Sequence, residues 1–182
     1  MKTSWFLPLL LLWLSACSST DIKSTEQTPG VDFSAYRTYN FLDVQARNEA
    51  AFAAPGSAIA DLKTAVAREL ERRGYQRADA PDLWVNIGVV TQDQVQTRQT
   101  DIREAPRYIG QRRYSWQSEE VVVDRYEVGT VTVELVDAAR NERVWQGVAA
   151  STLTDDPQKL TRRIDEGMSK LFEKYPLSPP QP

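Results

Sequence analysis

Gly129-Thr130-Val131-Thr132-Val133-Glu134-Leu135-Val136-Asp137 is the stretch that decides the fold. Val131, Val133 and Leu135 fall on one side of an extended chain, and Thr130, Thr132 and Glu134 on the other. That is the two-residue period of a strand with one buried face. Ala138 to Asn141 supply a turn and Glu142 to Ser151 return as a second strand, so the unit is a β-hairpin. Working outward, Pro81-Asp82 opens a strand with Leu83, Val85, Ile87 and Val89 on one face and Trp84, Asn86 and Gly88 on the other. It is expected to run on through Gln94 to Gln99, where polar residues imply exposure. Glu119 to Tyr126, around Val121-Val122-Val123, read as a further strand. Tyr36 to Leu42, rich in aromatics, read as the first.

Two helical patterns complete the outline. Ser57 is a fitting N-cap for a helix to about Arg73, with Ile59, Leu62, Val66 and Leu70 as its apolar stripe and Gly74 as its stop. Asp156-Pro157 pairs an N-cap with an N1 proline. The helix that follows carries Leu160, Ile164, Met168, Leu171, Phe172 and Tyr175 on one stripe and ends before Pro176. The order is β-α-β-β-β-β-α, with the first helix crossing between parallel strands and the later strands antiparallel. Two helices with single apolar stripes need one sheet face to cover. The expectation is an α+β two-layer sandwich: one mixed, mostly antiparallel sheet of four or five strands with two helices on one face.

The N-terminus carries an address. Lys2 is its one charge, Trp5 to Leu14 are an apolar run of ten residues, and Leu14-Ser15-Ala16-Cys17 follows. This is a secretory signal of the lipoprotein kind, and ten residues fall well short of the ~20 that span a bilayer. The organisation expected is a signal peptide over 1–16, a lipidated flexible tether over 17–30, one domain over 31–176 and a Pro-rich tail over 177–182. The polar tether, Ser18 to Gly30, reaches at most about 45 Å at ~3.3 Å per residue. The resemblance to bacterial lipoproteins implies that Cys17 receives a diacylglyceryl group, is exposed by cleavage and is acylated on its new amine. Each buried methylene is worth ~0.8 kcal/mol, so two or three chains hold firmly where one holds marginally. Ser18 in place of Asp implies sorting to the outer membrane, facing the periplasm. The alternative is an ordinary cleaved signal with an incidental cysteine.

Composition removes most chemistry. The chain has no histidine and one cysteine, Cys17. Ser-His-Asp and Cys-His nucleophilic systems and the HExxH zinc motif are excluded, and no disulfide or metal site is expected. No Gly-rich phosphate loop and no SxxK motif occurs. The net charge of −3 becomes −4 without Lys2, which disfavours nucleic acid as a partner. No cofactor is expected.

Several motifs in order are similar to an uncharacterised bacterial lipoprotein family, domain of unknown function 4136. They are Asp32-Phe33 before Tyr36-Arg37-Thr38-Tyr39, then Pro81-Asp82-Leu83, then Gly129 to Ala138, then Val144-Trp145-Gln146-Gly147. The resemblance covers roughly residues 31 to 176. It implies an α+β envelope lipoprotein with no assigned enzyme activity and no catalytic residues to carry over. Relatives often have a Gly-rich middle segment, whereas residues 98 to 118 here are basic and aromatic.

That segment is the first candidate site. Arg98, Arg103, Arg107, Arg112 and Arg113 stand against Asp101 and Glu104, with Tyr108, Tyr114 and Trp116 interleaved. Guanidinium forks bind carboxylate or phosphate and rings contribute area. The functional reading is an arm that docks an envelope protein, a cell-wall glycan or lipid phosphates; the alternative is a solvated loop. Trp84 and Trp145 make a second candidate, an aromatic patch for sugar rings, with core packing as the alternative. A glycosidase needs two carboxyls roughly 5–10 Å apart, and Glu119, Glu120, Glu134 and Asp137 are the candidates. Asp137 is better explained as a turn cap, and Asp155-Asp156 as helix capping. The expected role is a non-enzymatic binding or structural one at the envelope. The alternatives are a carboxylate-dependent enzyme acting on cell-wall glycan, and a carrier of a small apolar ligand held between helices and sheet.

Overall fold

The computed structural model describes residues 20–42, 57–99 and 120–180. Along the chain come β1 (Thr20–Gln27), β2 (Thr38–Phe41), α1 (Ser57–Glu71), β3 (Gln76–Arg77), β4 (Leu83–Gln99), β5 (Glu120–Asp137), β6 (Glu142–Thr152) and α2 (Pro157–Phe172). The strands form one sheet in the order β1-β6-β5-β4-β2-β3. β2 runs parallel to β3 and β4, while β4, β5, β6 and β1 are antiparallel in turn. The fold is the α+β sandwich expected, mixed and mostly antiparallel, with six strands instead of four or five.

Three differences have physical causes. The strands expected over 119–126 and 129–137 are a single strand, β5, in continuous antiparallel pairing with β4. Gly129 between them is not a turn: a Cβ there would lie 2.7 Å from Leu153 Cδ2, so the residue is small because a leucine crosses it. The tether expected over 17–30 is corrected, because Thr20–Gln27 are the edge strand β1, paired with β6 from Thr20↔Ser151 to Gln27↔Trp145. Its polar sequence hid it. Ile22 packs against the core and Thr20 lies against Gly167 of α2, while a register shift between Ile22 and Ser24 leaves Lys23 bulged, a mark of a protected edge. The tail expected from 177 is also tied down at its start: Leu177 packs against the core and its carbonyl accepts from Arg73 Nε at 3.0 Å.

Both helices cover one sheet face. Leu83, Val85, Val133, Leu135 and Trp145 form one buried cluster with Leu62, Val66 and Leu70 of α1 and Ile164, Met168, Leu171 and Phe172 of α2. α1 stops as its sequence implies. Gly74 has φ +90°, its amide donates to the Glu71 carbonyl and the Tyr75 amide to that of Leu70, which together close a Schellman cap. Asp156 caps α2 by accepting from the amides of Gln158 and Lys159. Between the helices lies a buried ion pair, Arg73 Nη1 to Glu69 Oε2 at 2.7 Å. Arg73 also donates to the carbonyls of Glu69 and Phe172 and sits over the rings of Phe172 and Tyr175. A buried guanidinium with this many partners is satisfied. It fastens the end of α1 to the end of α2.

Candidate docking ribbon

The sheet is not uniformly wide. β2 pairs β4 only over Leu83 to Val85. β6 pairs β5 only as far as Val128↔Thr152, with one further bond from the Leu153 amide to the Glu127 carbonyl at 2.8 Å. β4 and β5 nevertheless keep pairing out to Gln99↔Glu120. Residues 93–99 and 120–127 therefore project as a two-stranded ribbon with no third strand among the described residues. An isolated two-stranded ribbon is marginal in water, yet this one is the outgrowth of the best-paired strands in the molecule.

Its side chains are unlike those of an ordinary solvated hairpin. Val95 is 55% exposed, Val122 52%, Val123 46% and Tyr126 36%. Val90 at the root is also exposed. Among the described residues, five of the six exposed large hydrophobics lie on the ribbon or its root, and the sixth is Leu42. Gln96 pairs with Asp124 and Thr97 with Val122, so Val123 is the extra residue of a bulge that twists the ribbon further. Thr97 Oγ1 donates to Glu120 Oε1 across the strands. The charged residues are Asp93, Glu120, Asp124 and Glu127 against Arg98 and Arg125. At the root, a cleft of about 710 Å³ separates the ribbon from the loop at 153–155, with Asp93, Val95, Arg125, Glu127 and Asp155 in its walls.

Of the basic and aromatic residues expected to form a docking arm, Arg98 lies at the outer end of β4. Arg103, Arg107, Tyr108, Arg112, Arg113, Tyr114 and Trp116 fall outside the described residues, as do Cys17, Ser18 and Glu119. The structure thus places the root of the expected arm on the ribbon. Sequence reasoning misses the valines that mark the ribbon as site residues. Their signal is a Val121-Val122-Val123 run with no apolar stripe elsewhere left to receive it.

The aromatic patch is corrected. Trp145 is 1% exposed and packs on Phe172 and Tyr175, with ring centroids 5.3 and 5.2 Å away. Trp84 is half-buried on the opposite face, where it pairs with Asn40 and Val136. A bulge at Val144 lets both Val144 and Trp145 turn inward, which strict alternation does not anticipate. The two indoles share no surface.

The described carboxylate candidates, Glu120, Glu134 and Asp137, are hydrogen-bonded within the fold. Glu134 accepts from Asn86 Nδ2 and pairs with Arg143. Asp137 caps its turn, accepting from the amides of Ala139 and Arg140, and also takes the Tyr36 hydroxyl at 2.8 Å. Burial alone would raise the Asp137 pKa, but these donors outweigh it and leave it lowered. The same bond, with burial first, pushes the Tyr36 hydroxyl up to about 12. Glu120 bonds Thr97. Among the described residues no group of acidic, His or Cys side chains is arranged to hold a metal. The space between α2 and the sheet amounts to about 40 Å³, whereas pockets for small ligands run to roughly 300–1,000 Å³.

The motif residues have internal duties. Asp82 Oδ2 accepts from the amides of Arg37 and Thr38 and from the Thr38 hydroxyl, while its own amide donates to Thr38 Oγ1. This clamp joins the start of β2 to the start of β4. Tyr75 donates to the Phe33 carbonyl, and its hydroxyl lies 2.9 Å from that of Tyr175. Gly147 is bare because a Cβ would lie 2.6 Å from Trp145 Cη2 and 2.8 Å from Leu171 Cδ1.

A two-layer α+β domain with a projecting ribbon is the class that fold and site define. The chain belongs to the family described as Domain of unknown function (DUF4136), whose model matches residues 23–177. That match starts within β1, as its place in the sheet requires. No curated protein matches. Among solved structures, a PDZ domain protein from Parabacteroides distasonis is similar with TM-score 0.52 and 12% identity, over 88% of this chain and 36% of that one. The chain thus spans about a third of that protein. Two structures of a PelC dodecamer from Paraburkholderia phytofirmans, one of them a variant, have TM-scores of 0.42 and 0.41. Their identities are 15% and 17%, over 84% and 81% of this chain and 96% and 95% of theirs. The first likeness shows the fold alone. Among the described residues no helix is long and apolar enough to cross a membrane.

Proposed function

We propose that this is a lipid-anchored envelope protein, held through Cys17 at the outer membrane and facing the periplasm, whose role is binding and not catalysis. The observation that carries this reading is the ribbon: apolar side chains left in water on an element that the core does not need. Large exposed apolar surface on a soluble domain marks an interaction site. Among the described carboxylate candidates, Glu120, Glu134 and Asp137 are bonded within the sheet and its turn, which supports binding over glycan hydrolysis. In the sequence, the basic, aromatic stretch at 100–118 lies between the two strands of the ribbon. An envelope protein and cell-wall glycan are the other classes of partner it suits.

The test is in cells. Metabolic labelling with an alkyne fatty acid should tag the protein, and Cys17→Ala should abolish the tag and release it from membranes. A photo-crosslinking residue at Tyr126 should give an adduct, to lipid where the ribbon lies on the bilayer and to a discrete protein where it docks one, and one at Ala139, on the far turn, should not. An untagged protein contradicts the anchor, and no adduct at Tyr126 contradicts the binding role. Release of glycan fragments from purified peptidoglycan would overturn the non-enzymatic reading.

A further inference from the structure

The ribbon and the anchor belong to the same end of the molecule. Thr20, the first residue of β1, pairs with Ser151. Ser151 pairs with Gly129, and Gly129 with Thr91. These four residues form one row across the sheet. β1 runs away from the row in one direction, and the ribbon leaves it in the other. Cys17 is three residues before Thr20, so the lipidated position lies within about 10 Å of the row at ~3.3–3.6 Å per residue.

Those lengths decide what the ribbon meets. From Thr91, in the row, to Gln99 the strand extends about 26 Å at ~3.3 Å per residue. Sheet twist turns β5 from β1 by roughly 20–25° per strand, about 45° over the two steps between them. Even so inclined, the ribbon drops about 18 Å beyond the row, nearly twice the reach of the link to the lipid. A domain that stands with β1 along the membrane normal carries the ribbon into the interface, where it lies obliquely. Its composition agrees: the exposed valines Val95, Val122 and Val123 and the ring of Tyr126 are all on this side of the row. Tyrosine, with an apolar body and polar tip, suits that layer.

We propose that the β4–β5 ribbon is a second membrane contact, laid into the interface of the bilayer that holds Cys17, so that the domain is attached at two points and has a fixed tilt. The inference rests on the lipid anchor of the proposed function. The contact is apolar and not electrostatic, because Asp93, Glu120, Asp124 and Glu127 outnumber Arg98 and Arg125 on the ribbon itself. It therefore needs no anionic lipid.

The experiment uses the full lipidated protein in vesicles of phosphatidylethanolamine and phosphatidylcholine. Lipidation blocks the Cys17 thiol, so Val122→Cys and, separately, Ala139→Cys each leave one thiol for an environment-sensitive fluorophore. The mass of the N-terminal peptide is read first. The expected result is a blue-shifted label at position 122, quenched several-fold more by nitroxide on the lipid chains than by aqueous iodide. The label at 139, on the turn at the opposite end of the sheet, should show the reverse. Addition of phosphatidylglycerol should leave both unchanged. Labels equally open to iodide at the two positions would overturn the inference while leaving the anchor standing. A label at 122 shielded from both quenchers would assign the ribbon to a protein contact and also overturn it. An N-terminal peptide without lipid would remove the anchor, and the second contact with it.

Discussion

At the scale of single residues, the positions that carry the family resemblance are those that fasten the fold. Asp82 gathers three donors from Arg37 and Thr38, chiefly the two amides, and these hold its carboxyl below the ordinary 3.8. A lowered carboxylate pKa stabilises the fold above the unfolded value, and that stability is lost as pH falls through the folded value. Asp82→Ala should therefore cost about 1 kcal/mol at neutral pH. The gap between variant and parent in thermal melts should narrow below pH about 4. A gap that widens toward acid would refute the clamp. Gly147 makes a second case. A methyl group on its Cα would meet side-chain atoms of both Trp145 and Leu171 inside 3 Å. Gly147→Ala should therefore destabilise by about 1–3 kcal/mol through overpacking, which urea unfolding measures directly. Trp145 itself shows where pattern reading stops. Its identity as a large aromatic in a strand was plain, but its face depended on a bulge that no period-two template contains.

At the scale of elements, the helices and the long central strands were legible because each shows its own period and its own stop. Gly74 ends α1, the Asp156-Pro157 pair opens α2, and alternation marks β5 and β6. β1 was not legible, since it turns inward only at Thr20 and Ile22 and from Lys23 on presents polar residues to water. The ribbon was half legible: both of its strands were expected, but their mutual pairing is a long-range fact that neither sequence announces. Past the Leu153 amide, which bonds the Glu127 carbonyl, no further strand pairs with it among the described residues, so it should be the first element to open. Amide exchange should be fast over 94–99 and 120–126 and slow over 83–89 and 131–135, where β4 and β5 lie within the covered sheet. Equal protection along the whole of β4 would mean that the ribbon is buttressed by more than its own pairing.

At the scale of the molecule, folding and the proposed binding fall to different parts. The buried cluster, the Asp82 clamp and the Arg73 fastening hold the domain together. The ribbon adds surface that the domain does not require, at the end of the sheet where β1 begins. Its location was hidden from the sequence because direction along a sheet depends on register, and register depends on which strands are neighbours. The measurement that tests this division most directly is the crosslinking yield from Tyr126 in intact cells, compared between the parent and a Val95→Glu, Val122→Glu double variant. Both substitutions fall on exposed positions, so the variant should melt within about 1 kcal/mol of the parent. The account predicts that the variant remains folded and membrane-attached through Cys17 while the Tyr126 adduct is lost. A folded variant that keeps the adduct, or one that unfolds because the ribbon valines are needed by the core, would contradict it.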